Sequence, residues 1–599
     1  MSLSPFGRSR VKITRRARPI PDEFSLKDFS GGLNLTDHDL HLNTSYAKVM
    51  KNVHRDSDST MAVRWGTKFR WDVSSVVSGD VVDFIYFRDK FVVVTSEGEV
   101  CTIDGSGTMT AIWNDTIAGA LAGNPDGWGN TFTSVDFTEF KNELTIHNGV
   151  DKPIIVSKTH VATYLQDIPT GSNVFTPTGK YATTVGNYLV VAGIEASPDE
   201  IYISSAGTSG TWPGDDAPND SLSINIASYS AETGGDLRGL SSFRNFLIVH
   251  FATTSLVVVL GEYDDTTHKP RILDTLPDQG TISHRTICAA DQDLIFADEQ
   301  GVWKANRNAF GSALENKKLS NKIQTGYIAD VPTNGVNRLA SFAVYNKIEG
   351  EILFFLKGED QYNIYNMTFD EGFKKVGWSF FCDMNFVAGA SSTRGRVFLA
   401  SGSRIYQYGN SVFEDEDFTA DLIGNYDDEW ATATAYVVGD KVLHEDETYI
   451  CLEDHTSAIF DNDLTNQYWT LYQGEEIDFD WELPWTDTGK RAKKKRLSFI
   501  AIDTEGTATF TVEAFVDNIR YTAEEEDDPA ISLEFVAGSS LGYGGGDQPY
   551  GGGRRAADER LWGFPCEFKL LKLRFKGSTT KRLKFSVITL LITMGTYKR

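Results

Sequence analysis

From about Val81 to Gly409 the chain repeats one local pattern. An apolar strand runs into a turn of Asn, Asp, Gly or Arg, a second apolar strand follows, and a third ends in an aromatic. The units read VVDFIYFRDKFVVVTSEGEVCTI from Val81, SVDFTEFKNELTIHNGVDKPIIV from Ser134 and YATTVGNYLVVAGIEASPDEIYIS from Tyr181. They continue as GLSSFRNFLIVHFATTSLVVVL from Gly239, TICAADQDLIFADEQGVWKA from Thr286, LASFAVYNKIEGEILFFL from Leu339 and VAGASSTRGRVFLASGSRIYQYG from Val387. Units of several short strands at a spacing of roughly 45 to 60 residues are the signature of propeller blades. One antiparallel blade cannot bury both of its apolar faces alone, so blades must stack around an axis. The expectation is an all-β chain built on a β-propeller of about seven blades.

Composition agrees where it bears on this. The 599 residues imply two to four domains, and 53 Gly with 37 Phe and 23 Tyr suit many turns between aromatic-rich strands. Alternating apolar and polar positions dominate over helical periodicity. The net charge of −26 is uneven. Residues 414–487 hold 22 acids and a single Lys, whereas the first 20 residues hold six Arg or Lys and no acid. A surface of this sign repels nucleic acid rather than gripping it. Cys101, Cys288, Cys382, Cys451 and Cys566 are odd in number and form no CxxC, which reads as buried thiols in a reducing compartment rather than a disulfide framework. The apolar run FSVITLLITM from Phe585 is too short to span a bilayer and reads as a strand, so no membrane-spanning segment is expected.

Catalytic patterns are weak. The G-x-S-x-G match at Gly538, Ser540 and Gly542 sits in a glycine-rich loop without a strand-to-helix elbow. His38 and His41 form an H-x-x-H without a third ligand. The stretch SAGTSGTW from Ser205 has Gly207 where a sialidase-type Asp box needs its Asp. No phosphate loop or dinucleotide fingerprint occurs. The expectation is a protein with no catalytic residues, no metal and no cofactor. The cluster Lys490, Arg491, Lys493, Lys494, Lys495 and Arg496 reads as a basic patch facing a partner, such as the acidic segment of a neighbouring copy.

Two resemblances add to this. The stretch EWATATAYVVGDKVLHEDETYICLEDHTSAIFDNDLTNQYWTLY from Glu429 resembles the small family 5/12 carbohydrate-binding modules appended to chitinases. The matching residues are Trp430, Ala435, Tyr436, Gly439, Asp440, Val442, Tyr449, Cys451, His455, Thr456, Ser457 and Trp469. In that family a Trp shortly after the HTS triplet stacks on sugar. Phe460 takes its place here, and Asn462 and Asn466 replace two prolines of the following loop. The resemblance implies Phe460, Tyr468 and His455 as a glycan-binding group, with Trp430 and Trp469 in the core.

The opening FSGGLNLTDHDLHLNTSYAKVMKNVHRDSDSTMAVRWGTKF carries Gly31, Gly32, Ala47, Asn52, Val53, Arg64 and Gly66. In that order they resemble the start of tail nozzle proteins (tail tubular protein B) of short-tailed bacteriophages. The stretches GNYLVVAGIEASPDEIYISSAGTSGTW, LSSFRNFLIVHFATTSLVVVL and DQGTISHRTICAADQDLIFADEQGVWKA are similar to the body of those proteins. WTDTGKRAKKKRLSFIAIDTEGTATFTVEAFVDN and GYGGGDQPYGGGRRAADERLWGFP are similar to their C-terminal β domain. The resemblance implies a virion structural protein at the distal end of the tail, a homohexamer beneath an adaptor ring and beside tail fibres or spikes. Double-stranded DNA would pass through the lumen without specific binding.

Five regions are expected: a basic flexible arm over 1–30, a ring- and adaptor-contacting segment over 31–75 with a helical turn near Ala47–Val53, and the propeller over 76–425. A carbohydrate-binding-like module follows over 426–473, then a C-terminal β-sandwich over 474–599. The alternative is a polysaccharide-binding or glycan-cleaving propeller protein that meets a host surface glycan.

Overall fold

The computed structural model describes residues 22–594 except 57–59, 115–127, 129–133, 166–176, 213–221, 228–235, 261–269, 291–292, 308–313, 371–372, 374, 410–427, 438–439, 445–446, 467, 472–475, 489–493, 507, 518–530, 538–553, 557–567 and 581. Its body is a seven-bladed β-propeller. Blades 1 to 5 are four-stranded antiparallel sheets spanning 81–113, 136–164, 181–225, 239–277 and 287–318. Blade 6 spans 342–381, and blade 7 takes three strands from 388–408.

The repeated turn explains the first five blades. Their two inner strands are joined by two residues only: Phe87 lies opposite Lys90, Phe140 opposite Glu143, Val185 opposite Tyr188, Phe243 opposite Phe246 and Ala290 opposite Asp293. Lys141 and Asn142 have φ of 48° and 71°, and Arg244 and Asn245 have 50° and 72°. Two successive left-handed residues make the tight turn whose twist matches the strands it joins, and Asn tolerates that region better than most side chains.

The apolar runs are continuous because each blade is covered on both faces. In Phe91–Val94, Phe91 and Val93 pack toward blade 7, while Val92 and Val94 pack toward blade 2. Alternation along a strand thus serves two seams at once. Every seam holds an apolar cluster, and the one between blades 5 and 6 runs on into the sandwich. Phe140 shares a cluster with Leu189 between blades 2 and 3, Val190 with Leu247 between 3 and 4, and Ile248 with Phe296 between 4 and 5. Ile295 shares a cluster with Ile352 between blades 5 and 6, and Leu353 with Leu399 between 6 and 7. Each such side chain contributes about 1.5–3 kcal/mol by leaving water.

The ring closes with a strand from ahead of blade 1. Thr67–Asp72 pairs antiparallel with Arg404–Tyr408 and completes blade 7. The expected segment 31–75 leaves this stretch outside the propeller; its pairing with the last blade moves it inside.

The C-terminal region is a two-layered sandwich that borrows strands from the start of the chain. One layer orders Arg554–Ala556, Lys495–Glu505, Lys584–Met594, Met61–Val63 and Val53–Arg55, with Asp22–Leu26 also paired to Lys584–Met594. The other continues blade 6 through Val49–Lys51 into Ile477–Glu482, Leu571–Thr579, Ala508–Val516 and Ile531–Ala537, nine strands in one sheet. Trp481, Phe510, Phe575 and Phe585 fill the space between the layers. Two expectations are corrected. Ala47–Val53 is not a helical turn but lies in short strands, because its partners are remote strands that local propensity does not see. Residues 22–26 are a paired strand rather than arm; residues 1–21 lie outside the described residues.

Candidate functional sites: module, axis and joint

In the small module, Asp428–Glu429, Lys441–His444, Glu447–Cys451 and Trp469–Leu471 form one sheet, and a short helix, Phe460–Thr465, closes over it. Tyr436, Val442, Cys451, Phe460 and Trp469 make its core. Phe460 is the correction here. It is 4% exposed, stacked on His444 at 3.9 Å and edge-on to Tyr449 at 4.7 Å. A ring enclosed on both sides has no face for a sugar. The helix turns Phe460 inward and leaves Ile459 and Leu464 outside. His455 has a side chain only 6% exposed, with Nδ1 2.8 Å from the Glu453 carbonyl and its ring on Tyr468 at 4.6 Å. Tyr468 is half-buried, with its ring stacked on His455 and packed against the same core. Trp469 is buried, and Trp430 packs against the same core.

The expected basic patch divides. Lys490, Arg491 and Lys493 lie outside the described residues. Lys494 and Arg496 are exposed. Lys495 is fully buried, its ammonium donating to the carbonyls of Asp487 and Lys569 (2.9 Å for the latter). Strand alternation puts it on the inner face between two outward neighbours, so Lys495 ties loops together rather than facing a partner.

Gly538–Gly542 and Cys566 lie outside the described residues. Cys101, Cys288, Cys382 and Cys451 are buried and unpaired, and burial pushes the first three thiols up to about 12. His38 caps the short 3-10 turn Asp39–His41, and no cluster of metal-ligating side chains occurs among the described residues. Sequence reasoning missed one arrangement: Ser241 Oγ lies 2.8 Å from His250 Nε2, and Ser255 Oγ lies 2.8 Å from Nδ1. That geometry suits a base-activated hydroxyl. His250 is nevertheless wholly buried, and burial pushes it down to about 3. The trio therefore braces blade 4.

The axis of the propeller carries a polar plug. The 3-10 turn His284–Thr286, capped by Ser283, enters blade 5. Arg285 lies 2.8 Å from Asp83 of blade 1, donates to the Val387 carbonyl at the start of blade 7 (2.8 Å), and covers the Phe342 ring of blade 6. His284 Nδ1 accepts from the Leu240 N–H of blade 4, which leaves its Nε2 proton for Asp136 of blade 2 at 2.8 Å. Its ring meets Tyr181 of blade 3 at 5.5 Å. Asp136 also accepts from the Ala182 N–H at 2.6 Å. Two consecutive side chains thus reach all six other blades. Arg285 is 9% exposed, and burial pushes the Asp83 carboxyl up despite its guanidinium partner. Such a pair stabilises only while both members are present.

A second polar joint couples propeller and sandwich. Asn52 has φ of 55° and is fully buried. Its amide donates to the Asp478 carbonyl (2.8 Å), and its Oδ1 accepts from Arg64 Nε and from the Cys382 N–H, both at 3.0 Å. Arg64, 2% exposed, also donates to the Trp65 carbonyl. Asn52 and Arg64 are two of the seven motif residues of the opening segment, and the fold brings them into one contact.

No known protein-family profile matches the chain. No curated protein matches it either. Among solved structures it is similar to a streptogramin B lyase, with 11% identity over 57% of this chain and 96% of that one and a TM-score of 0.35. It is also similar to a WD40 β-propeller domain, with 11% identity over 59% of this chain and 97% of that one and a TM-score of 0.33.

Proposed function

We propose that this chain is a non-enzymatic virion protein, the repeating subunit of a homohexameric tail nozzle at the distal end of a short phage tail. In this reading it sits below an adaptor ring, contacts tail fibres or spikes, and surrounds double-stranded DNA during ejection. The observation that carries it is the ordered set of nozzle-like motifs, whose residues Asn52 and Arg64 share the buried joint between propeller and sandwich. A part that transmits force along a tail needs rigid coupling between its domains, and one sheet running from blade 6 into the sandwich supplies it. The plug of Arg285 and His284 closes the axis of each propeller. The DNA passage is therefore assigned to the space enclosed by several copies. The net charge of −26 suits a wall along which a polyanion slides without sticking.

Sizing of the full chain with and without its adaptor tests this. The expected result is assembly to six times the 66.4 kDa chain, visible as rings in negative stain. A chain that stays monomeric at all concentrations and is absent from purified particles would sink the reading. The second reading, polysaccharide binding by the module, is supported by its family 5/12-like motif and by the half-exposed Tyr468. Pull-down on chitin with Tyr468→Ala as control separates it from the first.

A further inference from the structure

Blades 7 and 1 meet in a cleft of about 510 Å³ that neither reading uses. Its floor is aromatic. Trp71 stacks on Phe398 at 5.2 Å, and Tyr86 stands edge-on to Phe91 at 5.0 Å. Phe91 and Phe398 are buried, while Trp71 and Tyr86 are half-buried and carry the floor toward solvent. One wall is the hairpin of blade 7, Ser392–Arg396, longer than the two-residue turns of blades 1 to 5. The other is the Asp104–Gly107 turn of blade 1.

Three exposed arginines line this one cleft of a strongly acidic chain: Arg70, Arg394 and Arg396. Arg70 is held by Gln407 at 3.0 Å. The side chains of Arg394 and Arg396 have no ion-pair partner among the described residues. The nearest acid on the lining, Asp104, is engaged within its own turn by the Ser106 N–H at 2.9 Å, the Ser106 hydroxyl at 2.6 Å and the Thr108 N–H at 3.0 Å.

We propose that this cleft binds an acidic saccharide, a sugar ring bearing a carboxylate. The apolar face of a pyranose lies on an aromatic floor. A guanidinium matches a carboxylate in two parallel hydrogen bonds. Sugar hydroxyls need donors and acceptors together, and the hydroxyls of Ser392 and Thr393 offer both. A phosphate needs donors alone and carries up to two charges, so the Asp104 carboxylate at the lip penalises a nucleotide more than a uronate. The proposal stands apart from the nozzle reading, because it concerns one chain and not the ring.

The test titrates the full chain with a short oligogalacturonate and with the methyl ester of the same oligomer, read by calorimetry and tryptophan fluorescence. The acid is expected to bind and the ester to bind at least tenfold more weakly, on the scale of one charge-assisted contact. The variant R394Q/R396Q, changed only at exposed positions, is expected to keep its melting temperature and to lose roughly ten- to a hundredfold in affinity for the acid. Equal affinity for acid and ester overturns the proposal, as does no binding of the acid, or binding that the double variant leaves unchanged. Tighter binding of a deoxynucleotide than of the uronate reassigns the cleft and likewise overturns it. Oligomer sizing, run in parallel, reports on the nozzle reading alone.

Discussion

Blades 6 and 7 both draw on the first part of the chain, and they use it differently. Blade 7 is incomplete without it: Thr67–Asp72 is its fourth strand, paired over its length with Arg404–Tyr408. Blade 6 has four strands of its own and takes Val49–Lys51 only as an extension, parallel to Val376–Phe381 through the pair Phe380 and Lys51. The first contact closes a ring; the second hands a sheet to another domain. Closure is a condition for the propeller to exist, since an open blade 7 leaves apolar surface and a row of unpaired backbone groups. Coupling is a condition for the two domains to unfold together.

The largest effect is expected from removing closure. Replacing Thr67–Asp72 by a glycine-serine linker of the same length removes only the fourth strand of blade 7, and circular dichroism should find no cooperative unfolding transition of the propeller. A sharp transition near that of the full chain would mean that the ring closes some other way. The next largest effect is at the axis, where blades 6 and 7 meet blade 1. Arg285→Ala strands the buried Asp83 carboxylate, at a cost of about 3–5 kcal/mol. Adding Asp83→Asn should return part of this. Full additivity in a denaturant double-mutant cycle would deny the coupling.

Met50→Ala probes the extension of blade 6 in isolation. Met50 is 1% exposed in Val49–Lys51, and its truncation should cost about 2–5 kcal/mol. Scanning calorimetry should then resolve a separate, earlier sandwich transition while the propeller keeps its melting temperature; a single lowered transition would show that the domains are not separable in this way. The smallest effect is a pH dependence at the seam of the two blades. Glu351 of blade 6 is 1% exposed and accepts from Asn346 and Asn366, both at 2.9 Å, and burial pushes its carboxyl up to about 7. The folded state therefore holds a proton that the unfolded chain releases near 4.5. Its contribution is fully present below that value and is lost as pH rises through about 7. Glu351→Gln should be near neutral at pH 5 and stabilising by roughly 1–3 kcal/mol at pH 9, read as the pH dependence of the melting temperature. An unchanged profile would place the titration elsewhere.

The repeat was legible because each blade writes its own pattern locally: two-residue turns such as Lys141-Asn142 and Arg244-Asn245, flanked by short strands rich in apolar residues. The blade count followed from counting the seven repeat units, of which blades 6 and 7 carry longer turns. The closing strand was not legible, since nothing in TKFRWD says whether it pairs with the blade after it or with one more than three hundred residues away. The module misled for a related reason. A motif fixes which residue occupies a position, but Phe460 turns inward because the helix beginning there lays it on His444 and Tyr449. Lys495 shows the same limit within KRAKKKR, where strand alternation buries one cation and exposes its neighbours.

Period, turn chemistry and apolar runs in the sequence were enough to establish stacked antiparallel blades, because hairpin formation depends on residues close along the chain. Tertiary structure alone decided which strand closes blade 7, that blade 6 continues into the sandwich, and that His284 and Arg285 meet all the other blades at the axis. These depend on contacts between residues hundreds of positions apart, and the alternation of a strand says which faces are apolar without saying what will cover them.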